Sequence, residues 1–394
     1  MISGLNETPK AMRIHIGIFG SVNAGKSTLV NAVTGQNVSI TSSEPGTTTD
    51  PVYKPMELAE IGPAVFIDTA GFGDRTSLGA SRTERTLSEL DRCDMAVYVI
   101  SDDDDPAEYA NITEMFAKKN IPLLFVVNIK DKTRTAPEAP KNIPYICIDL
   151  TDENAGKAVR EALISLLKSK TEPDPPMTAD LVKAGDIVLL CAPQDKQAPK
   201  GRLILPEVQT IRDLLDNMCM VMTVTPENIT AALNSLNRLP DLVVTDSQIF
   251  AEVNAAIPES VRLTSFSVLM AKIKGDLPKL IDGAKTISSL TDGDRVLIIE
   301  SCSHHAQKDD IAREKLPRLL KKFTGKNLEI TVSSGQTLPD DLSEYTLAIH
   351  CGGCMINRRS MVAKQEKAAS LGIPMTNFGI AIAYMNGIFD RICY

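Results

Sequence analysis

Short apolar runs alternate with segments of helical spacing along the first 170 residues, and this is the strongest pattern in the chain. Arg13 to Phe19 is apolar and β-branched, and a helix is predicted from about Lys26 to Val33. Ala64 to Ile67, Met95 to Ile100, Leu123 to Val127 and Tyr145 to Ile148 read as further buried strands. Continuous apolar strands separated by helices indicate an α/β fold, a parallel sheet with helices on both faces. Lys157 to Lys168 has helical spacing and closes this unit. Thr171-Glu172-Pro173-Asp174-Pro175-Pro176 follows as a stiff linker, because proline fixes φ and lacks the amide hydrogen.

The pattern then restarts. Asp186 to Cys191, Val221 to Val224 and Leu242 to Thr245 read as strands, with helices at Glu207 to Asp216, Thr230 to Leu236 and Ser247 to Ala256. Beyond them, Arg295 to Glu300, Leu328 to Val332 and Thr346 to His350 read as strands, and Asp309 to Phe323 and Met361 to Leu371 as helices. The expected division is residues 1–170, a linker at 171–178, a second α/β domain at 179–264 and a third at 265–394. No short internal repeat stands out, although Ala184-Gly185-Asp186 and Asp292-Gly293-Asp294 enter their strands alike.

Composition narrows the function. A chain of 394 residues is long enough for several cores. A net charge of −8 argues against nucleic acid as the main partner, since phosphate binding needs a basic face. No apolar run reaches the length that spans a bilayer, and Met1 to Lys10 lacks the apolar core of a signal peptide. The expectation is a cytoplasmic protein with reduced cysteines. Of the eight cysteines, Cys93, Cys147, Cys191 and Cys219 lie in apolar surroundings and read as buried core thiols.

Gly20-Ser21-Val22-Asn23-Ala24-Gly25-Lys26-Ser27 fits the phosphate-loop pattern G-x-x-x-x-G-K-[ST], after a strand and at the head of a helix. Backbone N–H groups of such a loop and the helix N-terminus point at a phosphate. Gly20, Asn23, Ala24, Gly25, Lys26, Ser27 and Thr28 are the expected nucleotide contacts, with Lys26 on the β- and γ-phosphates and Ser27 on Mg²⁺. Asp68-Thr69-Ala70-Gly71 follows a core strand, where Asp68 would hold Mg²⁺ through water and Gly71 meet the γ-phosphate. Asn128-Ile129-Lys130-Asp131 ends a later strand; Asp131 can take two hydrogen bonds from a guanine edge, which selects GTP. The acidic run Asp102 to Asp105 reads as a solvated loop.

These motifs resemble those of translation-factor-type GTPases, especially the tRNA-modifying and Era-like branch. That branch reads N-K-x-D where this chain has Ile129 in the lysine position, and the usual S-A-K base loop is not recognisable in Ile146 to Glu153. Pro45-Gly46-Thr47-Thr48-Thr49-Asp50 resembles its first switch, which by resemblance makes Thr48 the expected Mg²⁺-sensing residue, with Thr47 and Thr49 as the alternatives. Phe72 stands where many GTPases keep a water-orienting Gln, and an apolar side chain cannot orient water. In the resembling branch the Asn at position 23 helps hold K⁺, which implies slow, K⁺-stimulated hydrolysis with Lys26, Thr48, Asp68 and Gly71 as the catalytic set.

The C-terminal third carries a second constellation. Cys302-Ser303-His304 is answered by His350-Cys351-Gly352-Gly353-Cys354, and three of the four histidines, His304, His305 and His350, lie in or beside it. Each half follows a predicted strand, and parallel strands bring their C-terminal ends together. Thiolate and imidazole ligands suit tetrahedral zinc, and equally a [4Fe–4S] cluster with three cysteines and one exchangeable position.

The C-x-H and H-C-x-x-C array joined to an N-terminal GTPase resembles the [FeFe]-hydrogenase maturation GTPases, the HydF family. The resemblance takes in Gly201-Arg202-Leu203-Ile204-Leu205-Pro206 and Thr264-Ser265-Phe266-Ser267. It implies a GTPase domain, a dimerisation domain and a cluster domain. The implied activity is a scaffold that holds a diiron precursor beside a [4Fe–4S] cluster and delivers it to apo-[FeFe]-hydrogenase, with the radical-SAM maturases as further partners. Carried over, Cys302, Cys351 and Cys354 are cluster ligands, with His304 or His350 near the fourth position. A homodimer is expected, with a tetramer as the alternative. The rival function is a GTPase with a structural zinc site acting in RNA or ribosome maturation.

Overall fold

The computed structural model describes residues 8–35, 51–69, 89–101, 106–129, 143–170, 174–193, 203–301, 310–335, 337–339 and 341–394. Contacts divide the chain into two units, Met1–Pro173 and Asp174–Tyr394. In the first, β1 (Ile14–Gly20) is buried from His15 onward and feeds α1 (Lys26–Thr34). β2 (Val52–Leu58), β3 (Gly62–Asp68) and β4 (Met95–Ile100) follow. α2 (Glu108–Lys118), β5 (Leu123–Asn128), β6 (Tyr145–Ile148) and α3 (Ala155–Lys170) complete the unit. The strands form one six-stranded sheet in the order β2-β3-β1-β4-β5-β6.

Both faces of this sheet are covered, so its central strands are apolar on both sides. Ile16, Ile18, Phe66, Val97, Val99 and Val126 pack with Leu29 and Val33 of α1 and Leu163 of α3. Phe19, Ile67, Tyr98, Ile100 and Phe125 pack with Tyr109 and Phe116 of α2 on the opposite face. The sheet is parallel except at its first edge, where β2 runs antiparallel to β3. The apolar pattern did not predict β2, which is only half-buried and carries Pro55; an edge strand tolerates a missing N–H. Cys147 corrects a second expectation. It is exposed, because β6 forms the other edge and turns Tyr145 and Cys147 outward, whereas Cys93, Cys191 and Cys219 are buried as expected.

The second unit contains two four-stranded sheets. The first is built from β7 (Ile187–Cys191), α4 (Leu205–Asp216), β8 (Met220–Val224), α5 (Ile229–Ser235), β9 (Leu242–Thr245), α6 (Phe250–Ala256), β10 (Arg262–Ser265) and α7 (Phe266–Lys274). After α8 (Leu277–Lys285) come β11 (Arg295–Glu300), α9 (Leu316–Thr324), β12 (Glu329–Ser334), β13 (Leu347–His350), α10 (Arg358–Ser370), β14 (Met375–Asn377) and α11 (Phe378–Met385). The orders are β10-β9-β7-β8 and β12-β11-β13-β14, every pair parallel. Both sheets therefore wind the same way. The first strand is central, the second lies at one edge, and the third and fourth lie on the other side.

This is an internal structural repeat that the sequence shows only in fragments. Gly185 and Gly293 enter the first strands at φ +85° and +87°, and donate to Met218 O and Asn327 O, each at 2.9 Å. Thr264-Ser265-Phe266-Ser267 and Thr376-Asn377-Phe378-Gly379 end the fourth strands and cap the last helices. Ser265 Oγ accepts from the N–H of Val268 at 3.1 Å, and Asn377 Oδ1 from that of Ile380 at 2.8 Å. The two helices meet at Ser267 and Gly379, where the N–H of Gly379 donates to Ser267 Oγ at 3.2 Å. A Cβ on Gly379 would stand 2.7 Å from Ser267 Cβ. One continuous apolar core runs from Leu189 and Val243 of the first repeat to Val296, Ile298 and Ile382 of the second. The C-terminal tail returns to the first repeat, bridging Ile392 to Leu263 on β10.

In the first unit, α3 packs so closely on α1 that a Cβ on Gly156 would lie 1.9 Å from the carbonyl oxygen of Ala32. Gly156→Ala is expected to destabilise this unit by about 1–3 kcal/mol, the usual cost of overpacking. Thermal denaturation followed by circular dichroism checks this; an unchanged melting temperature would contradict the packing.

Candidate functional site

The phosphate loop is shaped by three positive φ angles, +147° at Gly20, +62° at Asn23 and +107° at Gly25. Glycine is needed at two of them for space as well as for φ. A Cβ on Gly20 would stand 2.5 Å from Val99 O on β4, and one on Gly25 2.6 Å from Asn128 Nδ2. Asn23 is exposed at the crest, while Ala24 is buried. Lys26 is buried at the head of α1, and Thr28 follows in its first turn. The Lys26 ammonium donates to Ser21 O at 2.7 Å and Gly20 O at 3.2 Å, which keeps it inside the ring of the loop.

Neighbouring strands deliver the partners of this loop. Asp68 ends β3 in register with Ile18 of β1, and the Ser27 hydroxyl donates to Asp68 Oδ2 at 2.9 Å. Thr69 fixes that corner by donating its hydroxyl to Ile18 O at 2.6 Å. Asn128 ends β5 as a buried bracket: its Nδ2 donates to Ala24 O at 2.9 Å, and its Oδ1 accepts from the N–H of Leu150 at 3.4 Å. It thus ties the phosphate loop to the segment after β6. There Asp149 Oδ1 accepts from the Thr151 N–H and hydroxyl at 2.9 and 2.6 Å, and Asp152 Oδ1 accepts from the N–H of Asn154 at 2.8 Å. These side-chain turns build the loop in which no base-recognition motif was recognisable; acidic residues two before their donors are its only sequence signal. The expected Thr48, Gly71, Phe72 and Asp131, and the run Asp102 to Asp105, lie outside the described residues.

The second constellation gathers at the ends of β11 and β13, adjacent strands that pair Ile299 with His350. Cys302, His304 and His305 lie outside the described residues. Ser301, the residue before Cys302, donates its N–H to Cys351 Sγ at 3.3 Å. The glycine pair then turns the chain toward Cys354, with Gly353 at φ +66°, where a Cβ would be strained and would also push against Met361 Cε at 2.5 Å. A Cβ on Gly352 would stand 3.7 Å from Ser267 Oγ and 3.8 Å from Met270 Cβ, so α7 of the first repeat lies against this turn. Burial raises the Cys354 thiol, as does Cys351 nearby, and Lys274 opposes them.

His350 is fully buried, and both its ring nitrogens are engaged. Nδ1 lies 2.7 Å from Cys351 O, a carbonyl that only accepts, so Nδ1 carries the proton. Nε2 therefore accepts, with Lys364 Nζ and Ser301 Oγ each at 3.1 Å. Burial, with the Lys364 charge beside it, holds the imidazole far below its ordinary range, at about 3. The ring is thus neutral at physiological pH. Ser267, Lys274, Ser301 and Lys364 were missed by sequence reasoning. Ser267 lies in the Thr264-Ser265-Phe266-Ser267 run but nothing there marks it as part of this site; the other three lie in no motif, and a mid-helix lysine such as Lys364 normally faces water.

Among the described residues no group of three or more His, Cys, Asp or Glu side chains is placed to hold a metal ion. The described part of the array supplies two thiols, on a turn with an N–H aimed at one sulfur. That donor set fits thiolate ligation of zinc and of an iron–sulfur cluster alike. No described helix is long and apolar enough to cross a membrane.

Three family models match this chain. Residues 15–129 match the 50S ribosome-binding GTPase model. Residues 177–275 match the hydrogen maturase F dimerization domain, and residues 278–393 the hydrogen maturase F tetramerization domain. Among similar curated proteins, GTPase Der of Wolinella succinogenes is 33% identical over 152 residues, covering 36% of this chain and 31% of that protein. The tRNA modification GTPase MnmE of Granulibacter bethesdensis is 36% identical over 105 residues, 25% of this chain and 24% of that one. GTPase Era of Carboxydothermus hydrogenoformans is 33% identical over 115 residues, 29% and 38% of the two chains. The chain spans well under half the length of these relatives. The two hydrogen maturase F models together take in more than half of the chain, including both sheets of the second unit, and on that match the chain belongs to the hydrogen maturase F (HydF) family.

Proposed function

We propose that this protein is a GTP-hydrolysing scaffold that binds a [4Fe–4S] cluster, receives a diiron precursor and delivers it to apo-[FeFe]-hydrogenase. The observation that carries the reading is the joining, on one chain, of a phosphate loop to a second unit matched by hydrogen maturase F models over residues 177–275 and 278–393. GTP is the nucleotide, held by Gly20, Asn23, Ala24, Gly25, Lys26, Ser27 and Thr28, with Asn128 and Asp131 at the base. Ser27, Thr48 and Asp68 serve Mg²⁺, and Gly71 meets the γ-phosphate. The contact of Ser27 with Asp68 supports this, because Mg²⁺ needs both on one side of the phosphates. The protein works in the cytoplasm with the radical-SAM maturases, which supply the precursor.

GTP acts as a conformational signal. Such a signal requires the two nucleotide states to differ in affinity for partners, with the segments around Thr48 and Gly71 as the levers. Hydrolysis is slow because Phe72 cannot orient water, and K⁺ held by Asn23 supplies part of the missing charge. Hydrolysis is expected to run several-fold faster in K⁺ than in Na⁺, and Asn23→Ala to erase that difference while GTP still binds. Equal wild-type rates in the two salts would remove the K⁺ role.

Cys302, Cys351 and Cys354 hold the cluster, whose remaining iron can take an exchangeable ligand such as His304. The bound cluster supplies an iron atom open to an outside ligand; the chain holds its sulfur ligands and keeps water from the buried side. After anaerobic reconstitution with iron and sulfide, the dithionite-reduced protein should give a [4Fe–4S] EPR signal that alanine at any of the three cysteines abolishes. A colourless protein with one tightly bound zinc would overturn the cluster reading in favour of the structural-zinc GTPase.

Dimerisation uses the open edge of the first repeat. Its other edge, β10, is covered by the chain's own tail, whereas among the described residues β8 pairs outward with nothing. Beside that edge Leu215, Met218 and Met220 are 55%, 72% and 54% exposed. Such an edge favours pairing with a second copy, and a charge on it opposes pairing. Met220→Lys is expected to lower the mass measured by light scattering after size exclusion by about one half without changing the circular dichroism. An unchanged mass would place the interface elsewhere.

A further inference from the structure

Lys364 lies beneath the cysteine turn, 5% exposed, on α10. Its Nζ is 3.1 Å from His350 Nε2 and 3.3 Å from Ser301 Oγ. These two acceptors sit on different strands: Ser301 follows β11, and His350 ends β13. Each is the last residue before a cysteine, Cys302 after Ser301 and Cys351 after His350. One ammonium therefore joins the two stems from which the cysteines leave the sheet. The chain of contacts continues to the sulfur. His350 Nδ1–H donates to Cys351 O, and the Ser301 N–H donates to Cys351 Sγ.

We propose that Lys364 is a positioning residue of the iron–sulfur site: it fixes His350 in the Nδ1–H tautomer, aligns the stems carrying Cys302 and Cys351, and places a positive charge beside those stems. His350 is then a bracket with both nitrogens committed to protein, and a histidine ligand, if the cluster has one, is His304. The inference rests on the cluster reading above. Its physical basis is general. Groups behind the ligands orient them, and hydrogen bonds and net charge near the sulfurs set the potential. A [4Fe–4S] core on three thiolates is anionic and gains a further negative charge on reduction, so a nearby ammonium favours the reduced form.

The test uses the full-length protein, reconstituted anaerobically with iron and sulfide. Lys364→Met keeps an unbranched side chain one atom shorter and removes its charge; Lys364→Arg restores the charge. The expected result is a more negative midpoint potential in an EPR-monitored redox titration of Lys364→Met, moved back toward wild type in Lys364→Arg. Pulsed-EPR nitrogen couplings should be the same in His350→Gln as in wild type. Ser301→Ala, a smaller deletion in the same group, should alter the EPR line shape while the metal-free protein melts near the wild-type temperature. It covers the case in which Lys364→Met does not fold. An unaltered potential in folded, iron-loaded Lys364→Met, an unaltered line shape in Ser301→Ala, or an imidazole coupling lost in His350→Gln overturns the inference and leaves the cluster reading standing. Wild-type protein that refuses iron overturns both.

Discussion

Parallel strands all leave their carboxyl ends on the same edge of a sheet, and the candidate chemistry of this chain lies on such edges. In the first unit β1 runs into the phosphate loop, β3 ends in Asp68 and β5 ends in Asn128. In the second, β11 runs through Ser301 toward Cys302, and β13 ends in His350 before Cys351. Residues far apart in sequence are thus brought together by strand pairing alone, as Ile18 with Asp68 and Ile299 with His350 show. The apolar cores hold the strands in register, because a shift of one residue would turn each buried side chain to the other face. That register also places Ser27 against Asp68 and Ser301 against Cys351.

Buried polar groups on these edges have to be paired, and the pairing gives the loops their shape. Asn128 lies on both the phosphate loop and the segment after β6, so its carboxamide couples them. Lys364 does the same for the two cysteine stems. Losing one partner of such a bond strands the other in a dry site at about 1–3 kcal/mol, more than the roughly 0.5–1.5 kcal/mol a typical bond contributes net. Brackets of this kind therefore hold loop geometry more firmly than their number suggests. The internal repeat adds a consequence: α7, the last helix of the first repeat, borders the C-x-x-C turn through Ser267 and Met270. A segment matched as a dimerisation domain thus forms one wall of the cysteine site.

Strands that are buried on both faces were legible to the residue. Met95–Ile100, Leu242–Thr245 and Arg295–Glu300 are apolar or β-branched runs bounded by turn residues. Elements whose burial comes from elsewhere in the chain were not. Val52–Leu58 mixes exposed and buried positions at an edge, and Met375–Asn377 is too short to carry a period. Phe266–Lys274 and Phe378–Met385 are apolar nearly all round because they are the two helices packed between the repeats, which hides their helical periodicity. The repeat itself was masked because only its turns and caps match. At the sites, motif spacing picked out Gly20, Gly25, Lys26 and Cys351, since each type is dictated by local chemistry. Lys364 and Ser301 meet partners 14 to 63 residues away in sequence, and no local pattern marks them.

On the proposed function, the nucleotide loop and the cysteine turn serve one act, delivery of a diiron unit. The most direct measurement is activation of purified apo-[FeFe]-hydrogenase by this protein isolated anaerobically from cells that also express the radical-SAM maturases. Hydrogen evolution is expected with the wild-type protein and is expected to be absent with Cys351→Ala. Failure of the iron-loaded wild type to activate the hydrogenase, or equal activation by Cys351→Ala, would contradict the proposed function.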